Sequence, residues 1–195
     1  KAAEAVLTSR FQNCGQSCIA AKRIIVHESV YDPFKNLLLQ KVKNLRVGDP
    51  LDPETDLGPM VNERAAAELE DQVKRTVAMG ARVICGGKAG TEHPALFFPA
   101  LVEDVPESSP LAVEEVFGPV APLFRFTTTE QAIRMADSTP FGLGATIWTS
   151  EEDLALAMAH DIDTGTVAIN GFVKSEPGLP FGGVKGSGNF APTAL

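Results

Sequence analysis

The residues best suited to chemistry lie near the start of the chain, in Phe11-Gln12-Asn13-Cys14-Gly15-Gln16-Ser17-Cys18. A cysteine attacks as the thiolate, so a reactive one needs a setting that favours the ionised form. The small Ala20 and Ala21 follow, and Lys22-Arg23 then lead into a strand. This order places Cys18 at the start of a short helix after a glycine-containing turn. The turn lets the backbone approach a ligand, and the helix N-terminus stabilises the thiolate. The competing reading is that Cys18 is a small buried hydrophobe, as most free cysteines are. Asn13 and Gln16 read as residues that hold the turn. Cys14 is close enough in sequence to form a reversible disulfide with Cys18 on oxidation, and Cys85, at a strand end, reads as inert core.

Other candidate constellations are weaker. Gly186-Ser187-Gly188-Asn189-Phe190-Ala191 matches a dinucleotide-binding string, but no strand is expected before it and no helical pattern follows, so it is not read as a phosphate cradle. His27, His93 and His160 have no cysteine or carboxylate partner at a telling spacing and read as surface or structural residues. None of the three cysteines forms a CxxC pair, so no metal site is expected.

Six short apolar runs could position the cysteine turn: Arg23–His27, Arg82–Cys85, Ala100–Glu103, Val120–Phe126, Ala145–Trp148 and Thr166–Asn170. Their continuous hydrophobicity suits strands covered on both faces. Helical patterns alternate with them. One is capped by Ser29 and carries Phe34, Leu37, Leu38, Val42 and Leu45. Another runs from Asn62 to Gly80 with Leu69, Val73 and Val77 on one face and Glu70/Lys74 and Asp71/Arg75 as i,i+4 pairs. A capping box at Thr128–Gln131 opens a third, and Ser150 opens a fourth. The expectation is a three-layer α/β/α domain with a mainly parallel sheet. Gly86 to Pro99 and Gly171 to Leu195 read as loops, and the Ala-rich start reads as the middle of a helix.

The chain has 195 residues, of which 44% are hydrophobic and 22% charged, as in an ordinary soluble domain. Its net charge of −8, with scattered Lys and Arg, argues against a nucleic-acid partner. No apolar run is long enough for a membrane span. An odd, small number of cysteines points to a reducing, cytoplasmic compartment.

Phe-x-Asn-x-Gly-Gln-x-Cys resembles the active-site motif of the aldehyde dehydrogenase superfamily. Glu114-Glu115-Val116-Phe117-Gly118-Pro119-Val120 is similar to its nicotinamide-side motif, and Asn170 with Pro180–Gly188 is similar to its C-terminal signature. Within the superfamily the flanks Ala20–Arg23 and Gly165–Gly171 most resemble succinate-semialdehyde dehydrogenases, although Gln12 stands where some of those enzymes have Arg.

The resemblance implies NAD or NADP as cofactor and a small-molecule aldehyde as substrate, with succinate semialdehyde the expected one. Cys18 would be the nucleophile and its N–H an oxyanion donor. Glu115 would bond the nicotinamide ribose, Phe117 would pack on the nicotinamide, and Phe181 would line the aldehyde tunnel. Arg10, Lys174 and Ser175 are candidates for binding a substrate carboxylate. Read without the family, Glu115 could equally be a solvated loop acid, and Phe117 or Phe181 a core anchor.

The resemblance also implies that residues 1–188 form the catalytic thiol domain and 189–195 an atypical tail. The family's Rossmann-like cofactor domain and general-base Glu would lie upstream of this chain. Homo-oligomers are the expected assembly. The alternatives are a non-catalytic binding or oligomerisation module and, less favoured, a thiol hydrolase.

Overall fold

The computed structural model describes residues 1–188, and the expected atypical tail, 189–195, lies outside the described residues. Two compact units are present: Val6–Arg125, and Lys1–Ala5 together with the chain from Phe126 onward. The N-terminal helix α1, Ala2–Phe11, begins in the second and ends in the first, as its Ala-rich sequence leads one to expect.

In the Val6–Arg125 unit four strands lie in the order β1-β4-β3-β2, with β1 Ile24–His27, β2 Arg82–Cys85, β3 Ala100–Glu103 and β4 Val120–Phe126. The α/β class and the strand positions agree with the sequence reading. The sheet is mixed. β3 and β4 run parallel, with Ala100 opposite Val120, but edge strand β2 pairs antiparallel to β3 with an irregularity between Val83 and Cys85. The Gly86–Pro99 connection explains the reversal. It contains no crossover helix and folds back through an Ala89–Phe97 bridge, so β3 returns alongside β2 in the opposite sense.

Helix α2, Glu28–Lys43, covers the sheet with Leu38 and Val42, which join Phe11, Ile24, Val26, Leu101 and Leu123 in the core. Ala100 is one residue from Leu101 and so points to the other face. There it neighbours Gly87, which also meets Val73 of α3, Glu63–Ala78. Helices therefore lie on both faces. Beneath α2, the carboxylate of the buried Glu103 is met by Lys35 at 3.0 Å and by Arg82.

The unit from Phe126 onward contains α5 Thr129–Asp137, β5 Phe141–Gly142, β6 Ala145–Ile147, α6 Glu152–Asp161, β7 Val167–Ile169 and β8 Val184–Lys185. β6 and β7 pair in parallel with α6 as the connection between them, while β5 and β8 pair antiparallel. Lys185 ties β8 to the end of α5 through Asp137 at 2.9 Å.

Caps follow the sequence where the signal is local. Asn62 Oδ1 accepts from Ala65 N–H at 2.8 Å, Thr128 accepts from Gln131 N–H, and Gly80 adopts a positive φ just past α3. Two expected caps are displaced. The cap of α2 is His27, whose Nδ1 accepts from Ser29 N–H at 3.2 Å; Ser29 lies inside the helix because strand β1 runs directly into it. α6 begins after Glu151 rather than at Ser150, and Thr149 Oγ1 accepts from Glu151 N–H instead. Val77 of α3 is 41% exposed, and Thr76 takes the buried position beside it. Among the described residues no helix is long and apolar enough to cross a membrane, and no cluster of His, Cys, Asp and Glu could hold a metal ion.

Leu38 has no exposed surface and sits where α2 meets the sheet, so Leu38→Ala is expected to cost about 3 kcal/mol. A lowered urea midpoint checks this; an unchanged midpoint would contradict the core assignment.

Candidate active site

α1 runs into a tight 3-10 turn, Gln12–Gly15, in which Asn13 (φ 53), Cys14 (φ 56) and Gly15 (φ 68) are all left-handed. Gly15 has to be glycine on a second count. A Cβ there would lie 2.4 Å from the Gly118 carbonyl oxygen and 2.8 Å from the Arg10 guanidinium. Asn13 Nδ2 donates to the Gln16 carbonyl at 3.0 Å, and Gln16 N–H donates back to the Asn13 carbonyl at 3.1 Å. The Gln16 side chain reaches further, accepting from Val61 N–H at 2.8 Å.

Cys18 comes next and is exposed. It sits in a turn closed by Ala20 N–H on the Ser17 carbonyl at 3.2 Å, and the chain then passes into β1. The short helix expected from Cys18 onward does not form. The left-handed run turns the chain back, and Ala21 N–H is captured by the Ser9 carbonyl of α1 at 3.3 Å. No helix dipole therefore acts on the thiol. What the turn does provide is a main-chain donor, since the N–H of Cys18 bonds to no group among the described residues.

Arg10 is fully buried, which corrects its assignment to a carboxylate-binding mouth. Its Nη2 donates to the carbonyls of Gly15 (3.5 Å), Val116 (3.0 Å) and Gly118, and its Nη1 to that of Ala21 (3.4 Å). The guanidinium thus joins the cysteine turn to the Glu114–Gly118 loop, far away in sequence, and offers nothing to solvent. Burial lowers its pKa, and it stays a cation at neutral pH.

The Glu114–Gly118 loop is held from the other side by α3. Arg75 grips Glu114 with two bonds of 2.9 Å, and Gln72 Nε2 donates to Glu114 at 3.0 Å and to the Glu115 carbonyl at 3.3 Å. These bonds, Arg75 first, hold the Glu114 carboxyl below its usual range. The buried Thr76 accepts from Leu111 N–H at 3.1 Å, fixing the short helix α4, Pro110–Val113, that leads into the loop.

Glu115 and Phe117 are left facing outward, with Phe117 44% exposed. They border a groove of about 610 Å³ lined also by Gln16, Val61, Leu69 and Gln72. A carboxylate that can accept from hydroxyls and an open aromatic face beside a groove are groups suited to a ribose carrying a planar ring.

Lys22 reaches across between the two loops. Its ammonium donates to the carbonyls of Ser17 at 2.6 Å and Cys18 at 3.3 Å, lies 3.4 Å from Glu115 Oε1, and stands 5.4 Å from the centre of the Phe117 ring.

The remaining sequence-predicted residues lie in the unit from Phe126 onward. Lys174 pairs with Glu176, Ser175 is exposed, and Phe181 is half-buried where an irregular segment approaches β8. Contrary to the sequence reading, the two-residue strand β8 does precede Gly186, while Asn189–Ala191 lie outside the described residues.

A family model described as "Aldehyde dehydrogenase family" matches residues 1–191. The chain belongs to the aldehyde dehydrogenase family. Among curated aldehyde dehydrogenases it is 46% identical over 188 residues to succinate-semialdehyde dehydrogenase [NADP(+)] 1 of Mycobacterium tuberculosis (strain ATCC 25618 / H37Rv), covering 96% of this chain and 41% of that protein. It is 45% identical over 183 residues to the succinate-semialdehyde dehydrogenase [NADP(+)] of Mycobacterium leprae (strain TN), covering 93% and 40%. Among solved structures, the succinate-semialdehyde dehydrogenase of Burkholderia pseudomallei superimposes with a TM-score of 0.94 at 37% identity, over 98% of this chain and 40% of that one. Aldehyde dehydrogenase 21 of Physcomitrella patens, in complex with the reaction product succinate, gives 0.92 at 34%, over 97% and 39%. The chain spans about two fifths of the length of the curated relatives it matches.

For this aldehyde dehydrogenase chain, sequence reading missed the residues that brace the motif. In the sequence Lys22 reads as the approach to a strand and as part of the family-like flank Ala20–Arg23, with no role in bracing; a long cation four residues after the cysteine, beside the small Ala20 and Ala21, is the available signal. Arg75 was read as the i,i+4 partner of Asp71, which it is at 2.7 Å, but its grip on Glu114 spans 39 residues and has no local trace.

The three thiols differ in access. Burial pushes the Cys14 thiol up to about 11 and raises that of Cys85, whereas Cys18 is exposed. Iodoacetamide at pH 7.5 is expected to label Cys18 first and Cys14 last. Labelling of Cys14 should accelerate as pH rises towards its raised pKa, because only the thiolate reacts. Peptide mapping reads the order, and equal rates at all three sites would contradict it.

Proposed function

We propose that this chain is the thiol-bearing part of an NADP+-dependent semialdehyde dehydrogenase that oxidises succinate semialdehyde to the acid. The observation that carries the reading is the juxtaposition of an exposed Cys18, whose N–H has no partner among the described residues, with the outward-facing Glu115 and Phe117 across one lysine. The substrate and the choice of NADP+ rest on the names of the relatives in Mycobacterium. The assignment of Phe181, Lys174 and Ser175 to the aldehyde rests on family resemblance alone.

The Cys18 thiolate attacks the aldehyde carbon, and the electron pair of the carbonyl moves onto its oxygen. The Cys18 N–H donates to that oxyanion; one such donor is worth about 3 kcal/mol of barrier in acyl-transfer enzymes. Glu115 would accept from the ribose hydroxyls of NADP+ and the open face of Phe117 would receive its nicotinamide ring; when bound there the nucleotide would supply the hydride acceptor needed to take the Cys18 adduct to a thioester. Water then cleaves the thioester, releasing the carboxylic acid and the Cys18 thiol.

The test is turnover by the whole protein with NADP+ and succinate semialdehyde, followed as NADPH absorbance. Cys18→Ala is expected to abolish it, and Glu115→Gln to raise the nucleotide KM by about tenfold with little change in the aldehyde KM. Absence of Cys18-dependent turnover with any aldehyde would instead favour a non-catalytic binding or oligomerisation module.

A further inference from the structure

Lys22 has no part in the chemistry proposed above, yet its ammonium carries four separate attachments. Two are carbonyls of the nucleophile turn, Ser17 at 2.6 Å and Cys18 at 3.3 Å. The third is Glu115 Oε1 at 3.4 Å, and the fourth is the Phe117 ring at 5.4 Å. An ammonium has three protons, and the two carbonyls and the carboxylate account for them. The side chain is only 17% exposed, so the pair with Glu115 is less screened than a surface salt bridge. The charged groups acting on the ammonium are Arg10, which repels it, and Glu115, which attracts it, as Cys18 does in its thiolate form.

We infer that Lys22 is a positioning residue that fixes the direction of Glu115, and with it the Phe117 face, relative to the Cys18 turn. The inference rests on the reading of Cys18 as nucleophile and Glu115 as ribose acceptor. Gln72 and Arg75 fasten the backbone of this loop and the neighbouring Glu114, but the Glu115 carboxylate itself has Lys22 as its one partner among the described residues. Lys22 contacts one oxygen, and the other, without a partner among the described residues, is available to accept from a ribose. Without the ammonium, Glu115 returns to the rotamers of a half-exposed side chain, and binding a nucleotide must order it again.

The test uses the whole protein and steady-state kinetics with NADP+ and succinate semialdehyde for wild type, Lys22→Met, Lys22→Arg, Glu115→Gln and Lys22→Met/Glu115→Gln. Lys22→Met is expected to raise the nucleotide KM about tenfold while leaving the aldehyde KM within about twofold. Lys22→Arg, which keeps the cation, restores most of the loss. In the Glu115→Gln background, Lys22→Met adds little further, because the two act through one another. Thermal melting confirms that each variant is folded.

A Lys22→Met effect that multiplies fully with Glu115→Gln, or one that raises both KM values alike, would overturn the inference and assign Lys22 a general structural role. An unchanged nucleotide KM in Lys22→Met would overturn it as well. If Glu115→Gln itself leaves the nucleotide KM unchanged, the ribose assignment is what fails.

Discussion

A guanidinium taken wholly out of water carries a desolvation penalty of several kcal/mol unless its protons are met. Arg10 offsets much of it through its two terminal nitrogens, with main-chain carbonyls from two distant segments, Gly15 and Ala21 on one side and Val116 and Gly118 on the other, while its Nε has no partner among the described residues. The glycines are part of the same constraint. The backbone at Gly15 lies so close to the Gly118 carbonyl that Gly15 has no room for a Cβ, and a Cβ at Gly118 would run into the side chains of Leu69 and Met60. A cation that must be satisfied and a backbone contact without side chains therefore specify one relative placement of the cysteine turn and the acidic loop. The outward-facing groups inherit it.

On that base the structure adds supports in order of distance from the reacting atoms. α3 holds the loop through Arg75, Gln72 and Thr76, and the sheet holds α3 through Val73 against Gly87 and Ala100. Nearer the surface, Lys22 joins the two loops by their outer groups. The exposed Cys18 is thus backed by rigid contacts although it sits in a turn and not on a regular element. Its ordering comes from the left-handed Asn13–Gly15 run behind it and from the two carbonyls held by Lys22.

The parts legible in the sequence are those that depend on near neighbours. The ends of α3 at Asn62 and Gly80 are legible because a cap and a stop act within one turn, and the six apolar runs match strands to within a residue, β3 and most of β4 being buried on both faces; the two-residue β5 and β8 leave no such run. The motif around Cys18 pointed to the right segment. Its conformation was not legible: three successive left-handed residues, two of them not glycine, are tolerated only because distant groups enforce them. Arg10 was misjudged for the same reason. An arginine next to a reactive motif reads as a ligand for a carboxylate, and only the fold shows that backbone carbonyls more than 100 residues away consume it. The antiparallel β2 was hidden because a loop can reverse a chain or cross a sheet with the same composition.

The central claim is that Cys18 carries the covalent step, and the most direct measurement is mass spectrometry of the protein acid-quenched during turnover with succinate semialdehyde and NADP+. The account predicts an acyl group in thioester linkage on the peptide containing Cys18, released by hydroxylamine. An acyl group on Cys14 or Cys85, or steady turnover that persists when Cys18 is replaced by alanine, would contradict it.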